Sequence, residues 1–101
     1  MLLELSVIPL GRGRSLSADL AELLQIIDAS GLDYRLTATG TILEGDWDRL
    51  MDVVRRCHEQ MRTRTERVIT LIKIDDYDGC TGRLAGAVAS VEEKLGRPLR
   101  K

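Results

Sequence analysis

The order in which two periodicities alternate along this chain predicts an α+β fold. Period-two alternation or β-branched runs mark four strands, and apolar residues at i, i+3, i+4 and i+7 mark three helices. The succession is β-α-β-β-α-β with a trailing helix. That is the split β-α-β order of ferredoxin-like folds: a four-stranded antiparallel sheet, both crossover helices on one face, and here an extra C-terminal helix. A chain of 101 residues has room for one such core, because at this size only somewhat more than about 60% of the extended surface is buried on folding. Residues 1–101 are therefore read as one domain.

Each element has its own signal. In Leu2–Leu10, Leu3, Leu5 and Val7 fall on one side and Leu2, Glu4, Ser6 and Ile8 on the other, a strand with one fully apolar face. Gly11-Arg12-Gly13-Arg14-Ser15 ends it as a mobile basic loop, with two glycines and no periodicity. Ser17 is placed to cap a helix from about Ala18 to Ser30, where Leu20, Leu23, Leu24 and Ile27 share a face and Gly31 follows as terminator. Tyr34–Thr37 and Thr41–Glu44 alternate around Ala38-Thr39-Gly40, which predicts a hairpin with a three-residue loop. Asp46 caps the next helix, Asp48 adds negative charge to its first turn, and Trp47, Leu50, Met51, Val54, Cys57 and Met61 recur at helical spacing. Val68–Ile74 is β-branched and nearly continuous, the pattern of a central strand covered on both faces. Leu84, Val88, Val91 and Leu95 mark the last helix, stopped by Gly96 and Pro98.

Composition narrows the function. Aromatic residues make up only 3% of the chain, and 15 basic residues face 16 acidic ones for a net charge of −1. Neither a base-stacking surface nor a field for a phosphate backbone is predicted, so nucleic acid is not an expected partner. Glu4 breaks the N-terminal apolar run, no basic segment precedes it, and no stretch approaches the roughly 18 apolar residues of a membrane span. These features predict a cytoplasmic chain with no membrane partner.

Catalytic constellations are hard to assemble from what is present. His58 is the single histidine, which excludes sites built on several imidazoles, and its neighbour Cys57 diverges from it by about 100° on a helix. Cys57 lies on an apolar stripe and reads as a small core residue, and Cys80, in a turn, has no cationic neighbour to activate it. The basic loop is neither a Walker A sequence nor a full GxGxxG, and Asp75-Asp76-Tyr77-Asp78-Gly79 lacks the ligand order of a calcium loop. Gly82 and Gly86, with the alanines around them, make a small-residue surface suited to close packing. No enzyme, cofactor or metal site is predicted.

The helix-free face of the sheet is the informative surface. Strand four brings apolar residues to it in either register, and a sheet this small left open would expose a patch that soluble monomers rarely tolerate. Its cover is expected to be the third helix, a second subunit, or both, and a homo-oligomer is predicted. Glu4 and Ser6, joined by Arg35, Thr37, Lys73 and Glu44 if registers allow, make that face partly polar, so an interface pocket for a small molecule is a plausible site.

Five ordered segments carry a family likeness: Leu5-Ser6-Val7-Ile8-Pro9-Leu10-Gly11, Ser30-Gly31-Leu32-Asp33-Tyr34, Thr41-Ile42-Leu43-Glu44-Gly45-Asp46-Trp47, Ile72-Lys73-Ile74-Asp75 and Ser90-Val91-Glu92-Glu93-Lys94-Leu95. Together they resemble the small thiamine-binding protein family of YkoF-like fold. The resemblance implies a ferredoxin-like subunit that forms dimers and often tetramers and binds thiamine or its hydroxymethylpyrimidine part at subunit interfaces without catalysis. It also implies that Ser6, Thr37, Thr41 and Glu44 line the ligand pocket, where hydroxyls and a carboxylate suit an aminopyrimidine and a thiazolium cation. The alternative is a structural or regulatory oligomer without a small ligand, whose polar sheet residues set subunit register.

Overall fold

The computed structural model describes residues 1–101. The chain forms β1 (Leu2–Pro9), α1 (Ser17–Ala29), β2 (Asp33–Thr37), β3 (Gly40–Glu44), α2 (Trp47–Arg62), β4 (Val68–Asp75) and α3 (Arg83–Leu95). The four strands make one antiparallel sheet in the order β2-β3-β1-β4, the α+β ferredoxin-like arrangement with an added helix.

Register decides the faces. Leu3 pairs with Leu43 and Ile74, and Leu5 with Thr41 and Ile72, so these residues look toward α1 and α2. There Leu3, Leu5, Val7 and Leu43 join Leu23 and Ile27 of α1 and Leu50, Val53, Val54, Cys57 and Met61 of α2 in the buried core. Glu4 pairs with Lys73 and Ile42, and Ile42 with Arg35, which sets a charged row across the opposite, helix-free face. Ser6, Thr37 and Glu44 share that face by the same alternation.

Several expectations change on contact with the fold. β4 is an edge strand rather than a central one, and Ile69, Leu71, Ile72 and Ile74 are exposed on its two faces. Its apolar run therefore leaves Ile69 and Leu71 exposed on the helix-free face, while α2 meets the strand from the other side. Trp47 is exposed because it opens α2, one turn before the stripe becomes buried at Leu50. Ser17 is already the first residue of α1, whose start carries no side-chain cap, whereas Asp46 does cap α2, its carboxylate accepting from Arg49 N–H at 2.9 Å. The hairpin loop is two residues, Ala38 and Thr39, since Gly40 pairs with Thr37 as the first residue of β3.

The third helix does not seal the helix-free face. α3 meets β2 and β3, buries none of its residues, and leaves Leu95 54% exposed. The radius of gyration, 15.0 Å, with extents of 47 × 30 × 21 Å, exceeds the ~13 Å of a compact chain of this length. α3 is an arm rather than a lid.

Candidate functional site

The site grows out of a mismatch in strand length. β1 pairs with β4 over its whole length, Leu2 to Pro9, but with β3 only from Leu2 to Leu5. Past that point the β2–β3 hairpin has turned back. No residue other than glycine has positive φ, so the Ala38-Thr39 turn is not one of the primed types that match strand twist, and turns of the other hand splay their strands. Side chains hold it instead: Thr37 Oγ1 donates to Gly40 O at 2.8 Å, and Ser6 Oγ, from β1, donates to Thr39 O at 3.0 Å. Gly40 is required beneath this tie, because a Cβ there would stand 2.9 Å from Ser6 Oγ and 3.0 Å from Leu5 O.

The notch between the hairpin tip and β1 opens into a cavity of about 290 Å³, lined by 15 residues of which 10 are hydrophobic. α1 supplies Leu20, Leu23, Leu24 and Ile27, the hairpin supplies Leu36 to Thr41, and β1 supplies Leu5 to Ile8. Residues from both faces of the sheet take part because the notch passes through its plane. None of the lining residues is charged, so the cavity favours a neutral group with a few hydrogen-bonding atoms. Thr41 is the polar group held deepest, 5% exposed. Its hydroxyl engages no other group of the chain, yet no fully enclosed side-chain polar atom lacks a partner, which leaves that hydroxyl facing the cavity.

Three of the four residues singled out in the sequence meet here: Ser6, Thr37 and Thr41. Glu44 does not. Its carboxylate lies on the helix-free face and accepts from the main-chain N–H groups of Arg83 at 2.7 Å and Leu84 at 3.1 Å, which makes it the cap of α3. Leu36 and Leu71 stand at the rim, both more than half exposed; the apolar run of strand four points to an exposed face there, but nothing in the spacing of either strand marks a cavity mouth, which forms only where distant segments meet.

Other groups are engaged structurally. His58 Nδ1 lies 2.6 Å from Thr70 Oγ1. Burial pushes the Cys57 thiol up to about 11, that of an inert core cysteine. Arg83 pairs with Asp75 at 2.7 Å and lies over the Tyr77 ring, 5.3 Å from its centroid. The Tyr34 hydroxyl donates to Asp28 at 2.9 Å on the helix side, and this bond raises its pKa. A larger groove, about 700 Å³ between α1 and α2, is lined by Glu22, Gln25, Arg56, Glu59 and Gln60 among its nine residues, only two of them hydrophobic, so it offers little desolvation to a ligand. No helix is long and apolar enough to cross a membrane.

The sheet order, the notch and its hydroxyls can now be set beside known proteins. The chain is 37% identical over 99 residues to a UPF0045 protein of Mycobacterium bovis, covering 97% of each. It is 38% identical over 95 residues to one of Methanothermobacter thermautotrophicus, covering 91% of this chain and 96% of that one. Among solved structures, a hypothetical protein of Methanocaldococcus jannaschii superposes with a TM-score of 0.84 at 27% identity, over 91% of this chain and 95% of that one. A Thermotoga maritima protein, named as a candidate thiamine biosynthesis/salvage protein, shares the fold with a TM-score of 0.72 at 20% identity, over 94% of each chain. The family described as thiamine-binding protein matches residues 3–92, and the chain belongs to it.

Proposed function

We propose that this chain is a cytoplasmic, non-catalytic binding protein for thiamine or its hydroxymethylpyrimidine part, working as a homo-oligomer. One observation carries the reading: in a member of the thiamine-binding family, a cavity free of charged groups gathers Ser6, Thr37 and Thr41. Its volume of about 290 Å³ lies at the lower limit for ligand pockets, roughly 300 Å³. That size suits a single substituted ring, so the pyrimidine enters and the remainder of thiamine stays outside the notch.

Assembly completes the site in this reading. Leu71 at the rim and Ile69 beside it are exposed on the helix-free face, and α3 leaves them uncovered. A second copy laid on that face buries them and closes the open side of the notch, as a dimer or a pair of dimers. Glu44 serves this arrangement by fixing α3 rather than by touching the ligand. Nucleic acid and membrane have no part in it.

Isothermal titration with thiamine and with hydroxymethylpyrimidine tests the ligand. Saturable heat is expected for the pyrimidine, and no heat from either at millimolar concentration rejects the class. Thr41→Val, which removes the inward hydroxyl and keeps the shape, is expected to weaken binding about three- to tenfold, the worth of one neutral hydrogen bond. Sedimentation as a monomer at micromolar concentration would reject the assembly.

A further inference from the structure

The main chain of β1 carries a second signal at the same notch. In an antiparallel strand the N–H and C=O of one residue point to one side, and successive residues alternate sides. Leu10 N–H donates to Arg67 O on the β4 side, whereas Met1 exchanges both of its bonds with Gly45 on the β3 side. The even-numbered residues of β1 therefore bond toward β4, and Leu3, Leu5 and Val7 turn toward β3. The β3 ladder stops at Leu5, and no turn or loop main-chain bond reaches Val7. The Thr39 carbonyl opposite it is taken by Ser6 Oγ. Val7 is 5% exposed and lines the cavity, so a buried residue holds an unpaired donor and an unpaired acceptor side by side in the cavity wall. Buried main-chain groups are nearly always paired.

We propose that the Val7 main-chain N–H and C=O, in the cavity that Thr41 also lines, read the edge of a neutral planar heterocycle in which a ring nitrogen acceptor adjoins an exocyclic amino donor. This deepens the binding reading above and rests on its cavity. The N–H donates to the ring nitrogen, and the C=O accepts from the amino group. A ring without that amino group leaves the carbonyl unpaired, so selectivity comes from the backbone and needs no charged side chain. Pro9, two residues on and aimed at the same side, shows that this edge tolerates the loss of an N–H.

Amide hydrogen exchange by NMR on the full chain, free and with hydroxymethylpyrimidine, reads the Val7 N–H directly. In the free protein it is expected to exchange at least about a hundredfold faster than those of Ser6 and Ile8, which the β4 ladder holds. With ligand it is expected to slow at least about tenfold. The pyrimidine lacking its amino group should bind about tenfold more weakly. Val7→Pro, and replacement of Val7 by its α-hydroxy acid, which keeps the side chain and removes only the donor, should cost a similar factor; the second decides if the first does not fold. Val7 already protected in the free protein, or binding that changes neither its exchange nor the preference for the amino group, overturns the inference while the binding reading stands. Should cytosine or adenine bind with Val7 protection while thiamine and hydroxymethylpyrimidine do not, the thiamine reading falls and the main-chain recognition stands. If no amino-heterocycle binds, both fall.

Discussion

α2 and α3 carry the same kind of apolar stripe and meet opposite fates. α2 buries Leu50, Val53, Val54, Cys57 and Met61 against the sheet, while α3, with Leu84, Val88, Val91 and Leu95 at the same spacing, buries nothing. β1 and β4 repeat the contrast: β1 lies between two strands under two helices, and β4, equally rich in apolar residues, lies at the edge with Ile69, Leu71, Ile72 and Ile74 exposed. Periodicity reports that an element has an apolar face. It does not report whether the cover belongs to the same chain. The half built from β1, α1 and α2 is self-sufficient, and the half built from β4 and α3 is finished, on the reading above, by another copy.

The contrast can be pressed by mutation, beginning with the largest effect. Leu50→Ala, at a fully buried position, is expected to cost about 2–5 kcal/mol in urea unfolding. Val91→Ala, half exposed on α3, should cost under about 0.5 kcal/mol under conditions where the chain is monomeric. Equal costs would erase the distinction between the two halves.

The two thiols sharpen the same comparison. Cys57 lies in the self-sufficient core with its pKa raised by burial to about 11, so only on the order of one thiol in a thousand is ionised at pH 8. Cys80, in the loop before α3, is partly exposed. Timed reaction with a disulfide reagent is expected to label Cys80 at least about a hundredfold faster. Because the folded-state pKa of Cys57 is raised, its reactivity in the native protein should increase as pH rises toward that value, and unfolding should abolish the difference.

A cap-sized effect is expected at the joint between the halves. Glu44→Ala removes the acceptor for the Arg83 and Leu84 N–H groups and should lower stability by about 1 kcal/mol, the usual worth of a helix cap. Amide exchange in the first turn of α3 should accelerate while that of α2 stays unchanged. Acceleration in both would mean that α3 is part of the core after all.

Much of this was open to reading beforehand, for identifiable reasons. Strand one, the second helix and the hairpin each combine a clean period with a cap or a turn residue, so local rules point one way. The faces of Ser6, Thr37 and Glu44 became certain only with the register, since a slip of one residue inverts every side chain. Thr37 and Thr41 face opposite sides of the sheet yet border the same cavity, which no single-face pattern predicts. The Val7 edge was invisible because main-chain pairing leaves no mark in residue types.

By itself the amino-acid sequence determined the number and order of elements and the apolar side of β1, because these follow from local spacing. It also carried the likeness to a thiamine-binding family that the match over residues 3–92 bears out. Tertiary structure alone decided that β4 is an edge, that Glu44 caps α3, and that β3 ends before β1 does. Those outcomes depend on which distant segments lie side by side, and the competition among long-range pairings is settled by packing of the whole chain.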